Sequence, residues 1–280
     1  MKKHIATIIF VLLAVAGVSL LMYPTVSNYM SSLDQQRAIA GYTSYVMSID
    51  KEKYKEILAA ARAFNEEIAK NPTSIHLTDE QQEVYEQLLN ISDTGMMGYL
   101  EIPSIDVMLP IYHGTGETVL QKNVGHIEGS SLPIGGASTH SVLSGHRGLP
   151  SAKLFTDIDK LDYGDIFTIT ILKETYTYEV DRILTVLPDE PAAREAIGIE
   201  EGKDYCTLVT CTPYGINTHR LLVRGHRIET PENSGSITTN NDTQTRLKQV
   251  SPFIITAIAE APIILIAVIC ILVRRRRHKR

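Results

Sequence analysis

The sequence predicts a mainly β domain, either a closed barrel or a sandwich, preceded by a helical extension and flanked by two apolar segments. From Gly98 onward, short apolar stretches rich in β-branched and aromatic residues are separated by Gly, Pro and Ser. Apolar and polar residues alternate over 167–171 and 176–180, as in strands with one buried face. Regular short strands with turn signals are typical of barrels and sandwiches.

The two apolar segments have the length needed to cross a bilayer. Residues 5–22 follow Lys2-Lys3 and fit either a cleaved signal peptide or a retained anchor; the missing small-residue cleavage site favours an anchor over residues 1–23. We expect a second transmembrane helix over 252–273, since a basic tail, 274–280, follows it directly. Basic clusters stay on the cytoplasmic side, so both termini are predicted inside the cell and the intervening chain outside.

The intervening chain divides by composition into three parts. Residues 24–94 form a predicted helical extension, with helical apolar spacing over 33–70 and a capping-box pattern at Thr78 and Gln81. Residues 95–230 form the predicted β domain. Residues 231–251 are mostly polar, as expected of a linker that leads to the second transmembrane helix.

Charge and cysteine content exclude some classes of function. The formal net charge is −5, and 8 of the 27 basic residues lie at the two termini, so the middle of the chain is acidic. Nucleic acid is therefore not an expected partner, because phosphate binding needs a basic face. Three cysteines do not make a disulfide framework. Cys206 and Cys211 are five residues apart, which places them on opposite faces of one strand.

Cys211 is the candidate nucleophile, because it ends a strand-like run and is followed by the turn sequence TPYG. A thiol needs a cationic neighbour to react as thiolate, and Arg220 follows nine residues later. A hairpin would bring this guanidinium close to Cys211, where it could also stabilise an oxyanion. Protonating a leaving amine requires a histidine, and both His146 and His126 lie beside glycines. Spacing alone does not choose between them.

Metal and nucleotide chemistry have little support in the sequence. No HExxH motif, paired CxxC motif or histidine pair at helical i, i+4 spacing is present. The GxxxxGK[ST] and GxGxxG phosphate-binding motifs are also missing. We therefore expect no cofactor and no metal.

Three motifs, in the same order along the chain, resemble those of the sortase family. Residues 207–211, TLVTC, are similar to the sortase active-site strand, and Arg220 stands where sortases carry their essential arginine. Residues 143–147, LSGHR, resemble the sortase histidine loop. The resemblance selects His146 over His126, and it implies a closed eight-stranded β-barrel. It also implies a cysteine transpeptidase with Cys211 as nucleophile, His146 as general acid and base, and Arg220 as oxyanion stabiliser.

The segments 109–115, 149–155 and 212–220 are similar to class C sortases, the pilin polymerases of Gram-positive bacteria. The expected reaction cleaves an LPxTG-like sorting signal between Thr and Gly and joins the acyl group to a lysine of another pilin subunit. Ser144 and Thr210 are candidate substrate-binding residues. Many class C enzymes have an Asp-Pro-aromatic lid motif, and this chain has no Asp-Pro. We therefore expect a more open cleft, or a lid held by other residues.

Three alternatives remain open at the level of sequence. A sortase that anchors single proteins would use a peptidoglycan precursor amine as acceptor. A cysteine hydrolase would use water. A surface adhesin or pilus-assembly chaperone on the same fold would need no reactive Cys211.

Overall fold

The computed structural model describes residues 2–72, 76–92, 94–188 and 190–230. The helices within this part of the chain are α1 (Lys2–Ser48), α2 (Lys51–Ile68), α3 (Asp79–Gln87), α4 (Glu117–Leu120) and α5 (Pro191–Glu195). The strands are β1 (Met96–Ile102), β2 (Val107–His113), β3 (Val124–His126), β4 (Thr139–Ser144), β5 (Ile166–Ile171), β6 (Glu174–Val186), β7 (Asp204–Thr212) and β8 (His219–Ile228).

The eight strands close into a barrel in the order β1-β2-β3-β4-β7-β8-β6-β5. Strands β2 and β3 are parallel, as are β4 and β7, and every other pair is antiparallel. Closure pairs both edges of the sheet and leaves no open edge. The predicted closed eight-stranded barrel is confirmed.

The barrel interior holds the core, because side chains on each strand alternate between its two faces. In β5, Phe167, Ile169 and Ile171 are buried and the residues between them are partly exposed. The aromatic rings of Phe167 and Tyr178 stack inside, with centroids 5.5 Å apart. The strand pattern read from the sequence therefore corresponds to a real inward face.

Asp50 divides the long helix predicted over 33–70 into α1 and α2. Its side chain caps α2 by accepting a hydrogen bond from the backbone N–H of Lys53 at 2.9 Å. Such a cap satisfies one of the free N–H groups at a helix start and favours a new helix there. The capping box at Thr78 and Gln81 is confirmed at the start of α3.

Two buried polar side chains fasten the helices to the barrel. The hydroxyl of Tyr42 donates to the carbonyl of Met97 at 2.6 Å and accepts from the N–H of Leu172 at 2.8 Å. The amide of Asn65 makes two hydrogen bonds to the backbone of Leu132, at 2.7 and 3.0 Å. The part of α1 from Ser27 onward and α2 therefore belong to the same packed body as the strands.

One helix among the described residues, α1, has the length and apolar composition to cross a membrane. The chain divides into two compact units, and the residues of α1 from Ser27 onward belong to the barrel unit. The predicted linker over 231–251, the second transmembrane helix over 252–273 and the basic tail over 274–280 lie outside the described residues.

Candidate active site

Cys211 lies one residue before the end of β7 and is partly exposed, whereas Cys206 on the same strand is completely buried. Neither forms a disulfide. Burial raises the pKa of the Cys206 thiol well above its usual value, and nearby Asp204 adds to this effect. Cys206 is therefore held as an unreactive thiol, and Cys211 is the accessible one of the two cysteines that the structure describes.

Arg220 lies directly opposite Cys211 in the antiparallel ladder of β7 and β8, as the predicted hairpin requires. Side chains of directly opposed residues are close neighbours. The guanidinium of Arg220 donates to the backbone carbonyls of His219, at 3.2 Å, and Asn217, at 3.4 Å. The ion pairs found among the described residues do not include Arg220. Its charge is thus not neutralised by a neighbouring carboxylate.

His146 follows β4, and Cys211 is near the end of β7, the strand that pairs with β4 in parallel. Ser144 pairs with Val209 at the end of the β4–β7 ladder, and the N–H of Gly145 donates to the carbonyl of Val209 at 3.1 Å. His146 and Cys211 each lie two residues beyond this last pair, Ser144 and Val209, and so follow the same end of the ladder. His146 is partly exposed. The three residues predicted to carry the chemistry therefore lie at the same end of the β4, β7 and β8 ladders.

Gly145 is required by a close approach of the backbone to an aromatic ring. A Cβ at this position would lie 2.8 Å from ring atoms of Phe155, which is completely buried and has little room to move. The N–H of Phe155 donates to the carbonyl of His146 at 3.1 Å. The turn that carries His146 is thereby held against the core.

His126, the other candidate left open by the sequence, is completely buried within β3. Its Nδ1 accepts from the hydroxyl of Tyr85 at 3.0 Å, and its Nε2 donates to the carbonyl of Ser131 at 2.8 Å. Burial lowers the pKa of His126 to about 4, so the ring is neutral. Both nitrogens are occupied, and His126 is a structural residue.

The two substrate-binding candidates occupy different environments. Ser144 is partly exposed at the end of β4. Thr210 is only 2% exposed, and its hydroxyl donates to the carbonyl of Gly145 at 2.7 Å. Thr210 therefore links the cysteine strand to the histidine turn, and a direct substrate contact by either residue stays a prediction.

Sequence reasoning missed a second link between the same two segments. Arg147 follows His146, and its Nη1 donates to Thr212 Oγ1 at 3.1 Å, next to Cys211. The other terminal nitrogen of Arg147 pairs with the carboxylate of Asp159. The sequence shows that Arg147 directly follows the candidate histidine. It does not show that the Arg147 side chain bonds to the strand that carries Cys211.

Two residues of α1 contact the loop that follows His146. The hydroxyl of Ser27 donates to the carbonyl of Ser151 at 3.2 Å, and Asn28 Oδ1 accepts from the N–H of Lys153 at 2.7 Å. No Asp-Pro pair takes part, since the chain has none. The more open cleft stays a prediction. No group of three or more potential metal ligands was found among the described residues.

Comparisons with known proteins agree with this geometry. A family model described as a sortase domain matches residues 100–228. A crystal structure of sortase C1 from Streptococcus agalactiae is 54% identical, with a TM-score of 0.67, and the match covers 70% of this chain and all of that one. Sortase C from Streptococcus pneumoniae is 40% identical, with a TM-score of 0.59, over 69% of this chain and 97% of that one.

A more distant relative is sortase D of Bacillus subtilis, 29% identical over 195 residues, which are 68% of this chain and 92% of the relative. The structural match to sortase C1 covers the whole of that chain, and the range matched by the sortase domain model, 100–228, includes His146, Cys211 and Arg220. The chain belongs to the sortase family of cysteine transpeptidases.

Proposed function

We propose that this protein joins pilin subunits by transpeptidation, with Cys211 as nucleophile, His146 as general acid and base, and Arg220 as oxyanion stabiliser. The observation that carries the proposal is the pairing of a reachable thiol with a directly opposed arginine at the end of β7 and β8. A guanidinium that forms no ion pair within the described part of the chain is suited to an incoming carbonyl oxygen or a thiolate.

In the first step, the sulfur of Cys211 attacks the Thr carbonyl carbon of an LPxTG-like sorting signal. The carbonyl oxygen gains negative charge as the tetrahedral intermediate forms, and Arg220 stabilises it. The C–N bond to Gly then breaks, and His146 gives a proton to the departing amine. The product is a thioester between Cys211 and the Thr carbonyl.

In the second step, a lysine amine of another pilin subunit attacks the thioester carbonyl. His146 accepts a proton from this amine, and the Cys211 sulfur leaves as the isopeptide bond forms. The enzyme returns to its starting state with no net gain or loss of protons. The acceptor decides the outcome, because water in the same position would give hydrolysis.

Similarity to two sortase C structures supports pilins as substrates. The Streptococcus pneumoniae structure is described as giving insight into pilin substrate specificity, and its chain is 40% identical to this one. The 54% identity to Streptococcus agalactiae sortase C1 points in the same direction.

The proposed location is the cell membrane, with the barrel outside the cell and both termini inside. The apolar length of α1 supports an N-terminal anchor. The Lys2-Lys3 pair and the basic residues at 274–280 support the orientation. A membrane-held barrel would meet secreted pilins as they emerge from the membrane.

An acceptor competition tests the proposal. The full-length enzyme in detergent is given a labelled LPxTG-like peptide with a pilin subunit, a peptidoglycan precursor amine, or water alone as acceptor. We expect a pilin isopeptide product with the wild type and with Cys206→Ala, and none with Cys211→Ala. Preferred transfer to the precursor amine would support cell-wall anchoring instead, and product from Cys211→Ala would refute the assignment of the nucleophile.

A further inference from the structure

The residues that immediately follow His146 and Cys211 are joined by a hydrogen bond. Arg147 Nη1 donates to Thr212 Oγ1 at 3.1 Å. The residues that immediately precede the same pair are also joined, since Thr210 Oγ1 donates to the carbonyl of Gly145 at 2.7 Å. The proposed acid and nucleophile are therefore bracketed on both sides by direct bonds between their two segments.

The Arg147 side chain is largely buried, which is energetically unfavourable for a charged guanidinium. It is only 9% exposed, and its carboxylate partner, Asp159, is 41% exposed. Within the described part of the chain, its Nε is buried without a hydrogen-bond partner. Removing a guanidinium from water is unfavourable unless its hydrogen bonds are well made. This burial calls for an explanation other than stability.

The shape of the guanidinium explains why an arginine is buried at this position. Its planar fork reaches two acceptors at once: the hydroxyl of Thr212 on the cysteine strand and the carboxylate of Asp159 in the loop after the histidine. The ring of Tyr214, in the turn after Thr212, lies 6.0 Å from the guanidinium carbon. A lysine ammonium in the same place is a single point donor and does not reproduce this fork.

We propose that Arg147 is a positioning residue that fixes the spacing between His146 and Cys211 through Thr212. The proposal rests on the roles proposed above for His146 and Cys211. Proton transfer requires the acid within hydrogen-bond reach of the reacting group, and a misplacement of about 1 Å lowers rates by roughly 100-fold. Thr210 fixes one side of the pair and Arg147 the other, so losing either bond allows the histidine turn to shift.

The matched control is Arg224, which is as deeply placed as Arg147 but lies farther along β8. Its side chain is 13% exposed and makes two hydrogen bonds to the carboxylate of Asp181, both at 3.0 Å. It pairs across the ladder with Thr207, four residues before Cys211. Arg224→Lys removes an equally buried fork without touching the histidine turn.

The test measures thioester formation and transpeptidation by the full-length enzyme in detergent, together with thermal unfolding. We expect Arg147→Lys to lower kcat by about 10- to 100-fold with KM within about twofold of the wild type, while Arg224→Lys keeps its kcat. Thr212→Val, which removes the acceptor at a partly exposed position, should lower kcat in the same way. Thr212→Ser should restore it.

A double-mutant cycle completes the test, because Arg147→Lys and Thr212→Val remove the same bond and their effects should not add. Unchanged kcat in Thr212→Val, or equal losses in Arg147→Lys and Arg224→Lys, would overturn the positioning role. Cys211→Ala separates the two proposals: if it is inactive while Thr212→Val is fully active, only the inference on Arg147 fails. If Cys211→Ala stays active, the proposed function fails as well.

Discussion

Strands β4, β7 and β8 and the turn after β4 carry two sets of a histidine, a cysteine and an arginine. The two sets differ in burial and in the partners of their side chains. The open end is formed by His146, Cys211 and Arg220. The second set, which we call the closed end, lies nearer the start of β4 and β7 and in the middle of β8, and is formed by His140, Cys206 and Arg224. Each set contains one histidine, one cysteine and one arginine, so residue type alone does not distinguish them.

At the closed end, every group is buried or paired. His140 Nδ1 donates to the carbonyl of Gly198 at 2.8 Å, and Nε2 accepts from the hydroxyl of Thr207 at 2.7 Å. Burial lowers the pKa of His140 to about 4. Arg224 pairs with Asp181 and Glu200, and its guanidinium stacks 3.9 Å from the centroid of the Tyr205 ring.

At the open end, the same groups keep their capacity to react. Cys211 and His146 are partly exposed, and the guanidinium of Arg220 bonds only to backbone carbonyls among the described residues. Hydrogen bonds made by Thr210 and Arg147 link the two segments that carry His146 and Cys211. The two sets therefore differ in the burial and in the partners of their side chains, although their residue types are the same.

The two histidines give the largest expected contrast. His146→Ala should lower the rate of thioester formation by about 10²- to 10⁴-fold, because the leaving amine loses its proton donor, with little effect on folding. His140→Gln should leave kcat unchanged and lower the melting temperature, because glutamine does not bridge Gly198 and Thr207 in the same way. Rapid-quench kinetics and thermal unfolding measure the two effects. A large loss of kcat in His140→Gln would remove the distinction.

The two arginines should differ in the same sense. Arg220→Lys is expected to lower kcat by about 10²- to 10³-fold through loss of oxyanion stabilisation, with unaltered thermal unfolding. Arg224→Lys should reduce the free energy of unfolding by about 1–3 kcal/mol, since it breaks charge-assisted hydrogen bonds to Asp181, and should keep its kcat. Steady-state kinetics and urea unfolding decide between these outcomes. Equal kinetic losses in both variants would contradict the comparison.

Much of this arrangement could be predicted from the sequence. Alternating apolar residues identified the strands, and the turn after Cys211 identified the hairpin that places Arg220 opposite it. The choice of His146 over His126 needed the resemblance to sortases, because both lie beside glycines. Only the fold shows that His126 is buried with both nitrogens occupied.

Other features depend on contacts far apart in sequence. The parallel pairing of β4 with β7 sets the level of His146 relative to Cys211, and no local pattern specifies it. The Arg147–Thr212 hydrogen bond joins residues 65 positions apart, so no local sequence pattern predicts it either. Asp50 is a residue type that commonly caps helices, but the helical apolar spacing continues across 33–70, so the sequence did not predict that one helix ends and another begins there.

A pH experiment tests whether the fold holds the two buried histidines, His126 and His140, neutral. The pKa values of His126 and His140 are each lowered to about 4 by burial. Between pH 4 and 6.5 the unfolded chain therefore binds more protons than the folded chain, so stability is full above pH 6.5 and falls as the pH drops towards 4. At pH 5 each histidine accounts for a loss on the order of 2 kcal/mol.

Urea unfolding at pH 7 and pH 5 measures this loss, and His140→Gln isolates the share of one histidine. The variant should lose about 2 kcal/mol less than the wild type between the two pH values, because all other titrating groups are common to both proteins. Equal losses in the two proteins would show that His140 is not held neutral by the fold.

The smallest expected effect comes from the buried cysteine. Cys206→Ala should lower the free energy of unfolding by about 1 kcal/mol, through the small space it leaves in the core, and should not change kcat. Alkylation of the folded protein should modify Cys211 and leave Cys206 intact, which peptide mapping shows directly. Modification of Cys206 at a comparable rate would contradict its burial.

The most direct test of the account is the site of the acyl group during turnover. The full-length enzyme is incubated with an LPxTG-like peptide without acceptor, quenched in acid, digested and analysed by mass spectrometry. We expect the mass of the peptide acyl group on Cys211, its loss when a lysine amine is added, and no adduct in Cys211→Ala. An adduct on another residue, or transpeptidation by Cys211→Ala, would contradict it.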